Sequence, residues 1–163
     1  MLFRSDHHSQ PIVYSELAHK LSIEVGKRSY SDQVRKAVLE LRTAKGMVLD
    51  PVDHDTWSVG SFFTNPIVSE HAARQLPNDA PRWPQADGRI KLSAAWLIEH
   101  SGHSKGFGLN NRVQLSSKHS LALTNRGEAT ANDIIELAYK IQRDVREQYG
   151  IELALEPTLV GEF

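Results

Sequence analysis

The chain has 163 residues, of which 40% are hydrophobic and 24% are charged, and its 19 lysines and arginines nearly balance 20 aspartates and glutamates. This size and composition are typical of a globular chain that forms one domain, or one domain with an appendage, and they exclude a disordered chain. The charge balance argues against non-specific nucleic-acid binding. The absence of cysteine excludes disulfides and thiolate metal sites.

Membrane insertion is not expected from the sequence. No apolar run approaches the roughly 20 residues that a membrane-spanning helix needs. The opening residues, MLFRSDHHSQ, contain no apolar core of a signal peptide. We therefore expect neither a nucleic-acid partner nor a membrane partner.

The first part of the chain predicts a helical turn and one longer helix. Residues 11–20 are typical of a short extended piece that leads into a helical turn. Ser29 or Ser31 can cap the next helix, and Gly46 closes it. Within it, apolar residues recur at helical spacing, namely Val34, Ala37, Val38 and Leu41.

The middle of the chain predicts one buried strand and one capped helix. A polar turn segment ends near Gly60, and the residues 61–69 (SFFTNPIVS) predict a buried strand. Residues 77–90 contain three prolines and one glycine, so we predict irregular structure there. The next helix is capped by Ser93 and stopped by Gly102.

The last part predicts a hairpin, a long helix and a final strand. Residues 113–125 alternate as two strands joined near Ser117 and Lys118. Thr130 and Asp133 form the capping-box start of a helix that ends at Gly150. One face of this helix is apolar, with Ile134, Ala138, Ile141, Val145 and Tyr149. Residues 152–161 predict a strand. Because the pattern lacks regular βαβ spacing, we predict an α+β fold with a small antiparallel sheet and flanking helices.

Two groups of residues are candidates for catalysis or ligand binding, and each also has a simpler structural explanation. Ser61 lies between a glycine and two phenylalanines, a setting that can hold its hydroxyl in a dry cleft, but this pattern alone favours an incidental serine in a core strand. No G-x-S-x-G elbow surrounds it, so a hydrolase nucleophile is poorly supported. Arg42 and Lys45 can bind a diphosphate, or they can complement the dipole of the helix that they end.

The remaining candidate motifs are weak. The glycine-rich loop at 102–108 is neither a Walker loop nor a dinucleotide fingerprint, because it follows a helix. His100 and His103 lie on either side of a helix-ending glycine, and the acidic residues of 50–55 lack the spacing of a calcium loop. We therefore expect no metal site.

Taken together, the motifs resemble the C-terminal part of UDP-N-acetylenolpyruvoylglucosamine reductases (MurB). The most specific are GSFFTNP at 60–66 and KLSAAWLIE at 91–99. The resemblance covers nearly the whole chain in order, through VYSEL, AVLELRTAKGMVLDP, KHSLALTN, ATANDIIELAYKIQRDV and GIELALEPTLVG. It implies an oxidoreductase of peptidoglycan synthesis, located in the cytoplasm. In that family NADPH reduces FAD, and reduced FAD passes hydride to C3 of UDP-N-acetylglucosamine enolpyruvate to give UDP-N-acetylmuramate.

The resemblance also implies two catalytic residues. Ser61 matches the serine that protonates the C2 carbanion, a step for which a weakly acidic hydroxyl suffices when the acceptor is strongly basic and the site holds little water. Glu156 matches the glutamate that helps to stabilise the enolic intermediate. The sequence departs from many relatives directly after it, with Pro157 and Thr158 where Val-Arg is common.

Four further positions match substrate-binding residues of the family. Tyr14 matches a tyrosine that closes over the diphosphate region of the substrate, and Lys45 matches a diphosphate-binding lysine. Asn65 matches the asparagine that holds the nucleotide side, and His119 falls where relatives place a polar residue near the substrate. No residue of this chain matches a FAD-, NADPH- or metal-binding residue.

The family fold implies a division of the chain. Residues 1–48 would form the end of the flavin-binding region and a linker, 49–150 the UDP-sugar domain, and 151–163 a strand that returns to the flavin half. With the flavin domain expected before residue 1, we expect this chain alone to bind no FAD, to be inactive and to self-associate through surfaces that the flavin half would cover. A stand-alone nucleotide-sugar-binding module is the alternative. A structural domain with a decayed site is a third hypothesis, which the joint presence of the site residues disfavours.

Overall fold

The computed structural model describes residues 7–161, which divide into two compact units, one up to Val48 and one from Leu49. No helix in the described part of the chain is long and apolar enough to cross a membrane. The helices and strands confirm the α+β fold with small antiparallel sheets that the sequence predicts.

The first unit contains two helices, α1 (Ser15–Lys20) and α2 (Ser31–Ala44). Both match the predicted elements, and Gly46 adopts the left-handed conformation that ends α2. The predicted serine cap is wrong, because Tyr30 occupies the N-cap and its side chain accepts no hydrogen bond from the first turn of the helix. Buried side chains of this unit include Ile12, Ala18 and Ala37.

The second unit contains a three-stranded sheet, a separate hairpin and three helices. Strands β1 (Ile67–Val68), β2 (Arg82–Pro84) and β3 (Ile90–Leu92) pair antiparallel in the order β1-β3-β2. Strands β4 (Val113–Leu115) and β5 (Leu123–Asn125) form the predicted hairpin. The helices are α3 (Glu70–Arg74), α4 (Ala94–His100) and α5 (Ala131–Tyr149), and a 3₁₀ turn spans His54–Thr56.

The core of the second unit forms around one face of α5. Thr130 and Asp133 make the predicted capping box, and Gly150 ends the helix in the left-handed conformation. Leu137, Ala138 and Ile141 of α5 are fully buried. They belong to one apolar cluster whose other members come from α4, the hairpin and the chain at either end of this unit, among them Leu97, Val113, Leu123, Phe63 and Leu153.

Two predicted elements differ from the structure. The single strand expected over 61–69 is a short β1 preceded by two isolated bridges, Ser61 to Ala122 and Phe63 to Leu155. The segment 77–90 is partly regular, because β2 pairs with β3. Its Pro84 is tolerated because β2 is an edge strand, where a missing N–H breaks no ladder.

The last residues are the third difference. Residues 152–161 form no regular strand, only the bridge at Leu155. With their partner strands expected in a flavin half, the sequence predicts that Leu153, Leu155, Leu159 and Val160 lose their burial. Leu159 and Val160 are exposed, but Leu153 is 2% exposed and its carbonyl accepts a hydrogen bond from Gln142 of α5. The physical reason is that α5 and the segment around Phe63 supply neighbours within this unit. That the segment also returns to a flavin half stays a prediction.

Candidate functional site

The segment that carries Ser61 is held from both sides. On one side Ser61 bridges Ala122, and the amide of Phe62 donates to the carbonyl of Leu121 at 2.7 Å. Phe62 and Phe63 are buried and anchor the segment in the core. Gly60 has φ of 86°, a conformation that favours glycine, so the chain can turn directly before the serine. Ser61 itself is part-buried.

His119 lies against the hydroxyl of Ser61. The distance between Ser61 Oγ and His119 Nε2 is 3.3 Å. This is at the long end of the hydrogen-bond range, which is common for catalytic pairs before substrate binds. The contact brings together two predicted site residues that are far apart in sequence.

A tight turn between β4 and β5 positions His119. Ser116 is fully buried, and its Oγ accepts hydrogen bonds from the amides of Lys118 at 3.0 Å and His119 at 3.3 Å. Asp55, from the 3₁₀ turn, accepts hydrogen bonds from the amide of Ser117 at 3.0 Å and from its hydroxyl. The turn is therefore fixed by Ser116, which belongs to it, and by Asp55 of the 3₁₀ turn.

Asp55 is a residue that the sequence interpretation missed. Although burial raises its pKa, hydrogen bonds from Ser117 and the charge of Arg126 hold the pKa of Asp55 below its usual value, so it is a carboxylate at neutral pH. Arg126 contacts it at 3.2 Å. The acidic residues of 50–55 lack the spacing of a calcium loop, and nothing local in the sequence indicates that Asp55 has a partner beyond residue 110.

Glu156 lies beside the Ser61 segment through its backbone. Its amide donates to the carbonyl of Phe62 at 3.0 Å, and the preceding Leu155 bridges Phe63. The Glu156 side chain is exposed and makes no hydrogen bond or ion pair within residues 7–161. The two predicted catalytic residues thus stand on adjacent, paired segments of one unit.

Asn65 has a structural contact that the sequence did not reveal. Its Oδ1 accepts a hydrogen bond from the amide of Ala94 at 2.9 Å, next to the predicted Ser93 cap at the start of α4. The Asn65 side-chain NH₂ group makes no hydrogen bond in the described part of the chain, so it is available to a ligand.

Tyr14 and Lys45 lie in the first unit. Tyr14 is 74% exposed and precedes α1, while Lys45 follows α2 and forms an ion pair with Glu16 at 2.6 Å. Ion pairs between exposed side chains contribute little stability, so Lys45 can exchange Glu16 for a stronger anion.

The other candidate motifs have structural explanations. In the glycine-rich loop, the amide of Gly106 and the carbonyl of Phe107 are both hydrogen-bonded to Leu115 of β4, so they form no open phosphate cradle. A Cβ at Gly108 would lie 2.5 Å from a backbone oxygen, which requires glycine there. Between residues 7 and 161, no three histidine, aspartate or glutamate side chains gather as metal ligands.

The comparisons with known proteins agree with the resemblance. A family described as UDP-N-acetylenolpyruvoylglucosamine reductase, C-terminal domain, matches residues 50–160. The UDP-N-acetylenolpyruvoylglucosamine reductase of Cutibacterium acnes is 52% identical over 163 residues, which cover 99% of this chain and 43% of the relative. The reductase of the same name from Mycolicibacterium gilvum is 52% identical over 159 residues, covering 94% of this chain and 45% of the relative.

The chain thus spans less than half the length of these curated relatives. Its family is nevertheless shown, because the family match covers most of this chain, and the matching region includes Ser61, His119 and Glu156. This confirms the predicted family: the chain belongs to the UDP-N-acetylenolpyruvoylglucosamine reductases and carries their C-terminal domain.

Proposed function

We propose that this chain is the substrate-binding part of a reductase that converts UDP-N-acetylglucosamine enolpyruvate to UDP-N-acetylmuramate in cytoplasmic peptidoglycan synthesis. The observation that carries the proposal is the arrangement of Ser61. Its hydroxyl is part-buried, contacts His119 at 3.3 Å and lies on a segment paired with the one that carries Glu156.

Ser61 is the proposed proton donor. FAD, once reduced by NADPH, would supply hydride to C3 of the enolpyruvyl group. No residue of this chain is assigned to FAD or NADPH. The electron pair then resides at C2 and is delocalised into the neighbouring carboxylate. The Ser61 O–H bond breaks as the C2–H bond forms. Glu156, on the adjacent segment, is proposed to help to stabilise this enolic intermediate.

Three residues are proposed to bind the substrate. Asn65 keeps its Oδ1 on Ala94 and offers its NH₂ group to the nucleotide side. Lys45 leaves Glu16 for the diphosphate, which carries more charge and more acceptor oxygens than a carboxylate. Tyr14, largely exposed, covers the diphosphate region.

A chimera tests this function. The N-terminal part of the Cutibacterium acnes reductase that this chain does not match, joined to this chain, gives a complete reductase to measure. We expect Ser61→Ala to leave flavin reduction by NADPH intact but to slow turnover of the enolpyruvyl substrate by about 10²-fold or more, because only protonation uses the hydroxyl. Stopped-flow absorbance of the flavin follows both steps.

Ser104→Ala is the matched control, because Ser104 is exposed and its hydroxyl makes no hydrogen bond in the described part of the chain. Near-normal turnover in Ser61→Ala would refute the role of the serine. A folded, flavin-loaded wild-type chimera that reduces no substrate would refute the proposed function.

A further inference from the structure

Once Ser61 has given its proton away, the serine must recover one before the next turnover. This inference rests on the proposed function, which makes Ser61 the donor. A serine alkoxide is a strong base and does not persist, so the proton has to arrive as the hydroxyl proton leaves. The titratable side chain in hydrogen-bond contact with Ser61 Oγ is His119, through Nε2.

Several hydrogen bonds fix the turn that carries His119. Within the turn, the hydroxyl of the buried Ser116 accepts hydrogen bonds from the amides of Lys118 and His119. Two bonds from Ser117 tie the same turn to the buried carboxylate of Asp55. Ser120, also buried, donates to Glu99 of α4. A residue that serves only as one polar contact among several needs no such support, whereas a proton donor must keep its geometry.

Charged groups surround the turn from several elements. Lys118 is paired with Asp53 at 2.5 Å, and Asp55 is paired with Arg126. The side chain of Glu99 accepts a hydrogen bond from Ser120, and the amide of Glu156 donates to the carbonyl of Phe62. Both cations of this set are thus paired with carboxylates, so neither leaves an unpaired positive charge beside the turn.

We propose that His119 is a proton relay that reprotonates Ser61 during the reaction. The imidazolium donates from Nε2 to Ser61 Oγ while the Ser61 hydroxyl donates to C2 of the substrate. One C–H bond forms, the Oγ–H bond is broken and remade, and one N–H bond breaks. The imidazole left neutral takes its next proton from water. Asp55 is a positioning residue, which acts through the turn.

The test uses the chimera described above. We expect His119→Gln, which keeps a hydrogen-bond donor but cannot titrate, to lower kcat by about tenfold or more while KM changes less than about threefold. In the wild type kcat falls as the pH rises through the titration of the histidine, and this limb is absent in His119→Gln. Added imidazole restores part of the turnover of His119→Ala. His71→Gln, at an exposed position on α3, should behave as wild type.

A second measurement needs only this chain. Nitrogen NMR of the histidine rings should show that Ser61→Ala shifts the Nε2 resonance of His119 and leaves that of His103 unchanged. An unshifted His119 resonance, or an active chimera in which His119→Gln keeps both its kcat and its pH profile, would overturn the relay alone. An inactive wild-type chimera would overturn the proposed function, and the relay with it.

Discussion

At the scale of single residues, His103 is an unusual buried polar group. Its imidazole is 2% exposed, and Nε2 contacts the carboxylate of Asp144 at 2.9 Å. Its Nδ1 has no hydrogen-bond partner within the part of the chain that the structure describes. Burial lowers the pKa of His103 below its ordinary value, although Asp144 opposes this. At neutral pH the residue is therefore uncharged in the folded protein, and a proton on Nδ1 would have no acceptor among the described residues.

This arrangement predicts a pH dependence of stability. Because the folded pKa is lower than the unfolded one, the unfolded chain binds more protons, and stability is lost as the pH falls below about 6.5. Urea unfolding near pH 7.5 and near pH 5.5, values chosen on either side of about 6.5, measures the loss. We expect the loss to shrink in His103→Gln and to stay as in wild type in His71→Gln. An equal loss in all three proteins would show that His103 does not titrate differently on folding.

Two substitutions of Asn65 should separate its contribution to folding stability from its contribution to UDP-sugar binding. Asn65→Ala removes the acceptor of the Ala94 amide and should cost about 1 kcal/mol of unfolding free energy. Asn65→Asp keeps an acceptor at a helix start, where negative charge is favourable, so stability should be retained. Both variants lack the NH₂ group and should bind a UDP-sugar more weakly. Unchanged binding by Asn65→Asp, measured by calorimetry, would exclude Asn65 from the nucleotide site.

At the scale of elements, periodicity predicts what is long and regular. Helix α5 and the β4–β5 hairpin lie where the sequence places them because their patterns run over many residues. The three-stranded sheet is missed because its strands have only two or three residues and, unlike those of the hairpin, belong to no continuous alternating pattern, and Pro84 argues locally against one of them. Helix α3, with five residues, is missed for the same reason.

The site shows a similar limit. Ser61 and Glu156 are predictable because the motifs around them resemble a family. Asp55 is not, because its role depends on Ser117 and Arg126, which only the folded chain brings to it. The structural role of Asn65, beside its proposed role in binding, cannot be predicted from the sequence for the same reason, because Ala94 becomes its neighbour only in the folded chain.

At the scale of the whole molecule, the question is whether the last residues find their hydrogen bonds and their burial within the second unit. Within this unit the amide of Thr64 donates to Ala154, and the amide of Glu156 donates to Phe62. Ile151 and Leu153 are buried. This segment therefore gives less reason for self-association than its sequence suggests.

We expect hydrogen exchange on a demonstrated monomer to show protection of the Thr64 and Glu156 amides and none at Val160, which is 84% exposed. Leu153→Ala should cost about 2–5 kcal/mol, as is usual when a buried leucine is truncated. Rapid exchange at Thr64 and Glu156 would mean that the segment needs a partner outside this unit, as a strand of a flavin half would.

The central claim is that the second unit holds the site of a UDP-sugar enolpyruvyl substrate beside Ser61. Titration of this chain with UDP-N-acetylglucosamine enolpyruvate, followed by the amide resonances in an NMR spectrum, tests it most directly. We predict saturable shifts concentrated on residues 60–65 and 116–120 and at Glu156, with the α3 residues unaffected. Saturable shifts confined to other parts of the chain, or no binding at millimolar substrate, would contradict the account.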